Sequence, residues 1–250
     1  MPICTTAGAA QVNRRRGMAA DGVSFWHTLY IGTSRYNMAP GTPDPEPGTL
    51  FPMAFLVEQD PGSTANAHYH QADQFQVVVA GYGTLGLHEV APVTVHFTGA
   101  YTAYGPIRAG DDGISYFTLR NGFDPGARFM NRAENRAALR SLPDRRHREA
   151  VAGPDSSSGA ERETLIEPTS DGLAAWRFRL PARALLEGPD PSLGRGQYWL
   201  VMSGGLQREG HSLDRLSCSF VRPDEPAFTG ETGPEGLDVL ALQFPRRLNS

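Results

Sequence analysis

The sequence predicts an all-β chain made of two similar β-domains. Its 28 glycines and 20 prolines are spread along the 250 residues, as expected for many short strands joined by turns. Apolar runs of strand length occur in both halves of the chain. The two halves also share a pattern of glycine and apolar positions, which indicates that one fold is repeated.

Strand-like runs follow one another in each half. Those of the first half are Phe51 to Glu58, Gln74 to Ala80, Thr84 to Val90, Val93 to Thr98 and Ile114 to Arg120. Those of the second half are Leu173 to Leu180, Gln197 to Met202, Leu216 to Val221 and Leu237 to Phe244. Between the two sets of strands, residues 124–165 are predicted to form a connector. Asn131 to Leu142 has helical composition, and the remainder is polar and includes Ser156 to Ser158.

The repeat is seen without gaps when the numbering is shifted by 123. Gln74 then falls on Gln197, Gly81 on Gly204 and Gly113 on Gly236. A repeated fold retains such glycines because its turns need positive φ. The predicted organisation consists of an N-terminal arm, a first β-domain, a helix-containing linker and a second β-domain. Their bounds are 1–50, 51–123, 124–165 and 166–250.

Composition and charge exclude several functions. A formal net charge of −4 and a pI near 6.0 predict neither nucleic-acid nor membrane binding. All 23 basic residues are arginine, so the chain lacks the ε-amine of Schiff-base enzymes, phosphate-loop NTPases and kinases. Cys4 and Cys218 form neither a disulfide framework nor a zinc pattern. With no signal peptide or membrane span recognised, a cytoplasmic location is predicted.

Two histidines at alternate positions form the densest candidate site. On a strand, His68 and His70 point the same way. Neighbouring imidazoles on one face form a ready site for a divalent metal, to which Gln74 could add an amide oxygen across a turn. The alternative for a bare His-x-His pair is two surface or hydrogen-bonded histidines that bind no metal.

Nearby residues are further candidates. His88 is a candidate fourth metal ligand, although its repeat partner His211 favours a turn or core role for both. His96 is predicted to point outward, because the apolar face that includes Phe97 is expected to be the barrel interior. Gln76 is in phase with the preceding candidates, so it is predicted to point inward and to bind substrate.

The segment around these histidines resembles the first sequence motif of the cupin superfamily, G-x5-HxH-x3-E-x6-G, with glutamine in place of glutamate. The matching residues are Gly62, His68, His70, Gln74 and Gly81. Gly99 to Pro106 resembles the opening of the second cupin motif with one extra residue, and the histidine of that motif has no counterpart. The resemblance implies a double-stranded β-helix in each half, which is a bicupin of two jelly-roll barrels.

The resemblance also implies a cofactor. In metal-binding cupins the first-motif residues hold Fe(II), Mn(II), Ni(II) or Zn(II), which implies a divalent metal at His68, His70 and Gln74. An amide in place of the carboxylate leaves the charge of the metal less neutralised, and this favours an anionic substrate. Pro191 and Leu193 stand where the second-half histidines would be. That half is therefore expected to bind no metal and to serve packing and oligomerisation.

Two tyrosines lie near the strand end where the second motif of cupins reaches the metal. Tyr104 is a candidate hydrogen-bond donor or general acid beside the substrate, and Tyr101 is a candidate substrate contact. The alternative for both is packing at the rim of the barrel with their hydroxyls in water.

Two functions follow from these features. The first is a metal-dependent cupin enzyme acting on a small, oxygenated, anionic metabolite, with dioxygenase, isomerase and lyase chemistry left open. The second is a cupin that binds a small molecule without turnover, with weakly bound metal or none. A homodimer is predicted, because cupin sheets commonly pair and residues 1–50 are long enough to cover an edge strand.

Overall fold

The computed structural model describes residues 1–19, 22–143, 146–153 and 159–246. These residues form two compact units. One unit lies within Asn13–Gly153, and the other combines Met1–Val12 with residues 159–246. Both consist mainly of antiparallel strands, which confirms the all-β prediction. Among the described residues, no helix is long and apolar enough to cross a membrane.

The N-terminal segment contributes a strand and a short helix to the second unit. Strand β1 (Ile3–Thr5) runs antiparallel to Cys218–Val221, with Cys4 opposite Ser219. Helix α1 (Ala7–Ala10) follows, and the Thr6 hydroxyl accepts a hydrogen bond from the Ala9 backbone amide at its N-terminus.

The first unit contains a nine-stranded sheet. The strands and the helix of this unit are β2 (Arg14–Met18), β3 (Ser24–Ile31), β4 (Met53–Gln59), β5 (Thr64–Ala65), β6 (His68–Tyr69), β7 (Gln74–Leu85), β8 (His88–Val90), β9 (Val95–Thr98), β10 (Ile107–Arg120), β11 (Arg128–Phe129), α2 (Ala133–Arg140) and β12 (Glu149–Ala152). The order in the sheet is β12-β9-β7-β10-β4-β3-β2, with β5 beside β10 and β8 beside β7. Strands β6 and β11 form a separate two-stranded sheet.

The second unit contains an eight-stranded sheet. Its remaining strands are β13 (Arg162–Ile166), β14 (Ala174–Leu180), β15 (Leu185–Glu187), β16 (Gln197–Arg208), β17 (His211–Leu213), β18 (Cys218–Val221) and β19 (Thr229–Gln243). The order is β1-β18-β16-β19-β14-β13, with β15 beside β19 and β17 beside β16. The order β18-β16-β19-β14 in this sheet corresponds to the order β9-β7-β10-β4 in the first unit.

The repeated glycines occupy equivalent places in the two units, as the sequence repeat predicts. Gly81 in β7 and Gly204 in β16 both have φ of +71°. A Cβ atom at Gly81 would lie 2.2 Å from the carbonyl oxygen of Gly113, and one at Gly204 would lie 2.1 Å from that of Gly236. These close approaches between neighbouring strands explain why glycine stands at the same points of both halves.

The pairing of β7 with β10 determines which side chains meet inside the first barrel. Because side chains alternate along a strand, Gln74 and Gln76 share one face of β7. Arg120 lies opposite Gln74 across the strand pair, and Thr118 lies opposite Gln76. All four are buried. A row of polar side chains therefore runs across two central strands of this barrel.

The interior of the second barrel is filled by aromatic side chains instead. Trp199, which falls on Gln76 in the repeat, stacks on Phe228 with ring centroids 4.7 Å apart. Phe178 packs on the same indole with ring centroids 5.7 Å apart. Buried leucine, valine and alanine side chains complete this cluster. The expectation of a structural role for this half is consistent with such packing.

The arm and linker differ from their predicted bounds. Arg14–Met18 and Ser24–Ile31 are strands of the first sheet, whereas Ile3–Thr5 belongs to the second unit. The predicted arm is thus divided between the units. Helix α2 lies within the predicted helical segment, and Glu149–Ala152 returns to the first sheet beside β9. The serines Ser156 to Ser158 lie outside the described residues.

Candidate functional site

The first unit contains a cavity of about 790 Å³ that is open to solvent. Its apolar wall includes Phe25, Leu29, Met53, Phe55, Val57 and Phe129. Its polar part includes His68, His70, Gln76, Tyr104, Arg120 and Asp124. A volume of this size accommodates a small organic molecule, and an apolar wall with a few polar groups is typical of ligand sites.

His68 and His70 both lie inside the barrel, as the sequence predicts for same-face residues. Their side chains are buried, and the ring centroids are 5.1 Å apart at an interplanar angle of 88°. Burial lowers the pKa of His68 to about 3, with a further contribution from His70. Burial also lowers the pKa of His70, together with the nearby Arg120 charge. Both imidazoles are therefore neutral at physiological pH.

Tyr104 lies directly across a β-bridge from His68. The backbone amide of each residue donates to the carbonyl of the other, at 3.1 and 3.0 Å. This pairing places the Tyr104 hydroxyl 2.9 Å from His68 Nε2, inside the barrel rather than at its rim. Burial raises the pKa of the phenol well above its usual value, so Tyr104 remains protonated and acts as a donor.

A directed series of hydrogen bonds runs through this cluster. Arg120 Nε and Nη2 donate to Gln74 Oε1 at 3.1 and 3.0 Å, and Gln74 Nε2 donates to the Tyr104 oxygen at 2.5 Å. The Tyr104 hydroxyl donates to His68 Nε2, because His68 Nδ1 donates to the Asn66 carbonyl at 2.7 Å. In this series every donated hydrogen meets an acceptor atom, so the directions of the hydrogen bonds are mutually consistent.

Arg120 and Asp124 form a buried ion pair that the sequence reasoning missed. Arg120 Nη1 lies 3.2 Å from Asp124 Oδ2, and both side chains are almost fully buried. Asp124 also accepts hydrogen bonds from His70 Nδ1 at 2.8 Å and from two backbone amides, those of Gln71 and Gly126. Burial alone would raise the pKa of Asp124, but His70, Arg120 and these hydrogen bonds hold it well below its usual value.

The donor atoms as arranged do not fit a divalent cation. Arg120 Nη2 lies 3.1 Å from each ring nitrogen of His70 and 3.0 Å from Gln74 Oε1, so the guanidinium occupies the space where these ligands would meet a metal. A metal there would also be repelled by the permanent charge of Arg120. In the part of the chain that the structure describes, no group of three or more His, Cys, Asp or Glu could hold a metal ion.

His96 lies on the cavity side of the sheet, so the prediction that it points outward is wrong. It is 1% exposed, its Nδ1 lies 2.9 Å from the Gln76 amide, and its Nε2 donates to Glu149 at 3.0 Å. Phe97 is also fully buried, but it packs on Phe75 on the opposite face. Because both faces of this sheet are buried, an apolar face did not identify the barrel interior.

Two predicted site residues lie away from the cluster. His88 is exposed on the short strand β8 and is not part of the cavity lining, so it does not approach His68 and His70. Tyr101 has a φ of +61°, and its ring packs against Tyr69 with centroids 6.2 Å apart. Its backbone amide donates to the His70 carbonyl at 2.7 Å, but its side chain does not line the cavity.

Further lining residues were not recognised in the sequence. His27 stacks on Phe55 with ring centroids 4.6 Å apart, and the Arg120 guanidinium lies 5.6 Å from the same phenyl ring. Burial and the Arg120 charge lower the pKa of His27 to about 4. The sequence repeat contained a signal for Arg120, because Arg120 aligns with Gln243 and Gln74 aligns with Gln197. Gln243 and Gln197 are hydrogen-bonded at 2.8 Å in the second barrel, as Arg120 and Gln74 are in the first.

Comparison with known proteins finds structural likeness to solved proteins of low sequence identity. No protein-family model and no curated protein matches the chain. Bacterial pirin YhhW from Escherichia coli, solved in complex with nickel(II), aligns with a TM-score of 0.58 and 10% identity over 98% of this chain and 100% of that one.

Oxalate decarboxylases align similarly. A Lactobacillus farciminis enzyme, in a formate complex, has a TM-score of 0.56 and 12% identity over 94% of this chain and 85% of that one. A Bacillus subtilis enzyme with Mn(II) centres has a TM-score of 0.56 and 11% identity over 96% and 77% of the two chains. These similarities span both units and establish that this chain has the cupin fold.

Proposed function

We propose that the first barrel binds a small, oxygenated organic molecule in its cavity and holds it with protein side chains. The position of the Arg120 guanidinium supports this proposal most strongly, because it lies against two of the first-motif residues, His70 and Gln74. The apolar wall would cover the carbon skeleton, and the polar cluster would bind its oxygen atoms. This function corresponds to the cupin that binds a small molecule with little or no metal.

The charges of the buried groups favour an uncharged ligand over the anionic one that the sequence suggested. Arg120 and Asp124 carry opposite charges 3.2 Å apart, and the neighbouring imidazoles are neutral. The cluster therefore has no excess positive charge to compensate the desolvation of an anion. Hydroxyl and carbonyl groups, which need only hydrogen bonds, match it better.

Metal-dependent catalysis is the second candidate function. It is supported by the two buried histidines on one face, with ring centroids 5.1 Å apart, and by the nickel and manganese reported for proteins of this fold. Binding of Fe, Mn, Ni or Zn at His68 and His70 would require Arg120 to leave its place beside Gln74. The two candidate functions therefore differ in what occupies this place, which is Arg120 in the first and a metal ion in the second.

Three probes of one ring size test the proposed binding site: toluene, benzyl alcohol and benzoate, measured by ligand-observed NMR titration. Benzyl alcohol is expected to bind about tenfold more tightly than toluene, because its hydroxyl gains a hydrogen bond in the polar cluster. Benzoate is expected to bind more weakly than benzyl alcohol. Tightest binding by benzoate would contradict the charge argument.

Matched tryptophan variants locate the binding. Ala127→Trp introduces an indole into the cavity lining and is expected to abolish binding of benzyl alcohol. Leu87→Trp places the same side chain at a fully exposed position of the same unit and is expected to leave binding unchanged. The proposal fails if no probe binds saturably, or if the two variants bind benzyl alcohol equally well.

A further inference from the structure

We propose that Gln76 makes the cavity selective for alcohols by turning its amide oxygen toward the bound molecule, where it accepts a hydrogen bond from a ligand hydroxyl. Aldehydes, ketones and ethers, which donate no hydrogen bond, are then disfavoured. This selectivity rests on the proposed function, because the molecule must first bind in the cavity. Gln76 contacts the ligand directly, whereas His96 and Glu149 are positioning residues that act through it.

Glu149 determines which nitrogen of His96 carries the ring proton. It lies on β12, at one edge of the first sheet, and its Oε1 is 3.0 Å from His96 Nε2. The hydrogen bond from His96 lowers the pKa of the Glu149 carboxyl despite its partial burial. The carboxylate is therefore ionised at neutral pH and can only accept hydrogen bonds. His96 must then donate to it, so Nε2 carries a proton.

His96 in turn determines the orientation of the Gln76 amide. Burial lowers the pKa of His96, so its ring is neutral at pH 7 and the proton on Nε2 is its only one. The Nδ1 atom of His96 is then an acceptor. Gln76 Oε1 lies 2.9 Å from this Nδ1, and two acceptors in that position repel each other. A half-turn of the amide brings its N–H to Nδ1 without changing the shape of the side chain.

The half-turn leaves the Gln76 oxygen available to a ligand. Gln76 lines the cavity and is 4% exposed. Within the described residues, its amide has a hydrogen-bond partner only on the side of His96. The other end of the amide, which becomes the oxygen, therefore has no donor from the protein. A nearly buried carbonyl oxygen without a donor is unfavourable, so it favours a ligand that supplies one.

Thr118 provides the complementary partner for a ligand hydroxyl. It lies directly opposite Gln76 across the β7–β10 pair, and both residues line the cavity. No described residue forms a hydrogen bond with the Thr118 hydroxyl. A ligand hydroxyl can donate to Gln76 Oε1 and accept from Thr118 Oγ1, using both of its roles. A carbonyl or ether oxygen can only accept from Thr118, and it leaves the Gln76 oxygen unpaired.

Benzyl alcohol and benzaldehyde test this selectivity, because they share one ring and the same number of heavy atoms and differ by two hydrogens. Their dissociation constants are measured by ligand-observed NMR titration. The wild-type chain is expected to bind benzyl alcohol about tenfold more tightly than benzaldehyde, since only the alcohol pairs the Gln76 oxygen. Gln76→Leu is expected to abolish this preference.

A matched pair of threonine variants tests the second contact. Thr118→Val is expected to weaken the binding of benzyl alcohol about fivefold, because the isosteric side chain has no hydroxyl. Thr28→Val makes the same change at a fully buried position that does not line the cavity, and it is expected to leave binding unchanged.

The proton position of His96 is measured on the wild-type chain, independently of any ligand. Long-range ¹H–¹⁵N correlation spectra of protein labelled with ¹⁵N-histidine distinguish the two tautomers, and His96→Gln assigns the signals. A protonated Nε2 and an unprotonated Nδ1 are expected at pH 7.5. Glu149→Leu removes the acceptor without altering the cavity wall, so it is expected to mix the tautomers and reduce the preference for benzyl alcohol.

The results separate this selectivity from the proposed function. If neither benzyl alcohol nor benzaldehyde binds saturably, the proposed function fails and the selectivity with it. If both bind, but benzaldehyde binds as tightly as benzyl alcohol or more tightly, only the selectivity is overturned. A proton on Nδ1 of His96 also overturns it, as does a tenfold preference that persists in Gln76→Leu.

Discussion

Replacing Arg120 by methionine is expected to lower the free energy of unfolding by about 3 to 5 kcal/mol, because it leaves a buried carboxylate without its cation. Asp124 is fully enclosed, and Arg120 also donates to Gln74. The variant removes both contacts at once. Urea unfolding followed by circular dichroism measures the change.

Two further variants show that the loss comes from the unpaired charge. Arg16→Met breaks an exposed ion pair with Asp60 in the same unit and is expected to change stability little. Adding Asp124→Asn to Arg120→Met removes the stranded carboxylate and is expected to recover part of the loss. An Arg120→Met variant as stable as wild type would show that the pair is not a buried structural element.

Gly81→Ala is expected to destabilise the chain by about 3 kcal/mol or more, since left-handed backbone strain and a steric clash act together. The new Cβ would lie 2.2 Å from the Gly113 carbonyl oxygen, and neither strand of the pair can withdraw without breaking its ladder. The measurement is the midpoint of urea unfolding compared with wild type.

Gly62→Ala is the matched control for this clash. Gly62 has a φ of +65°, close to that of Gly81, but a Cβ there would meet nothing within 4 Å. It carries the backbone strain alone and is expected to cost about 1 kcal/mol. Equal losses in the two variants would show that strand proximity does not explain the repeated glycines.

The sequence was sufficient for the repeated fold because that information is local. Gly81 and Gly204 mark the same strand bend in each half, and the alternation of His68 and His70 places both rings in the barrel interior. The extended N-terminal segment was harder to assign. Arg14–Met18 is a strand whose charged side chains pair with Glu58 and Asp60, so it lacks the apolar alternation that predicts a strand.

The candidate site was predicted only in part because its chemistry depends on residues distant in sequence. His68, His70, Gln74, Gln76 and Tyr104 were identified from motif spacing or strand phase. Asp124 was assigned to a linker, yet the turn that follows β10 returns it beneath His70, 54 residues away in the chain. Periodicity indicates which residues share a face of a strand, but not which of two buried faces surrounds the cavity.

Whether Arg120 or a metal ion occupies the centre of the first barrel is measured most directly by elemental analysis. Untagged protein would be incubated separately with Fe(II), Mn(II), Ni(II) and Zn(II), desalted and analysed by inductively coupled plasma mass spectrometry. A guanidinium beside His70 and Gln74 predicts metal contents far below one ion per chain for all four metals. Stoichiometric retention of any of them, lost in His70→Ala, would contradict the central position of Arg120.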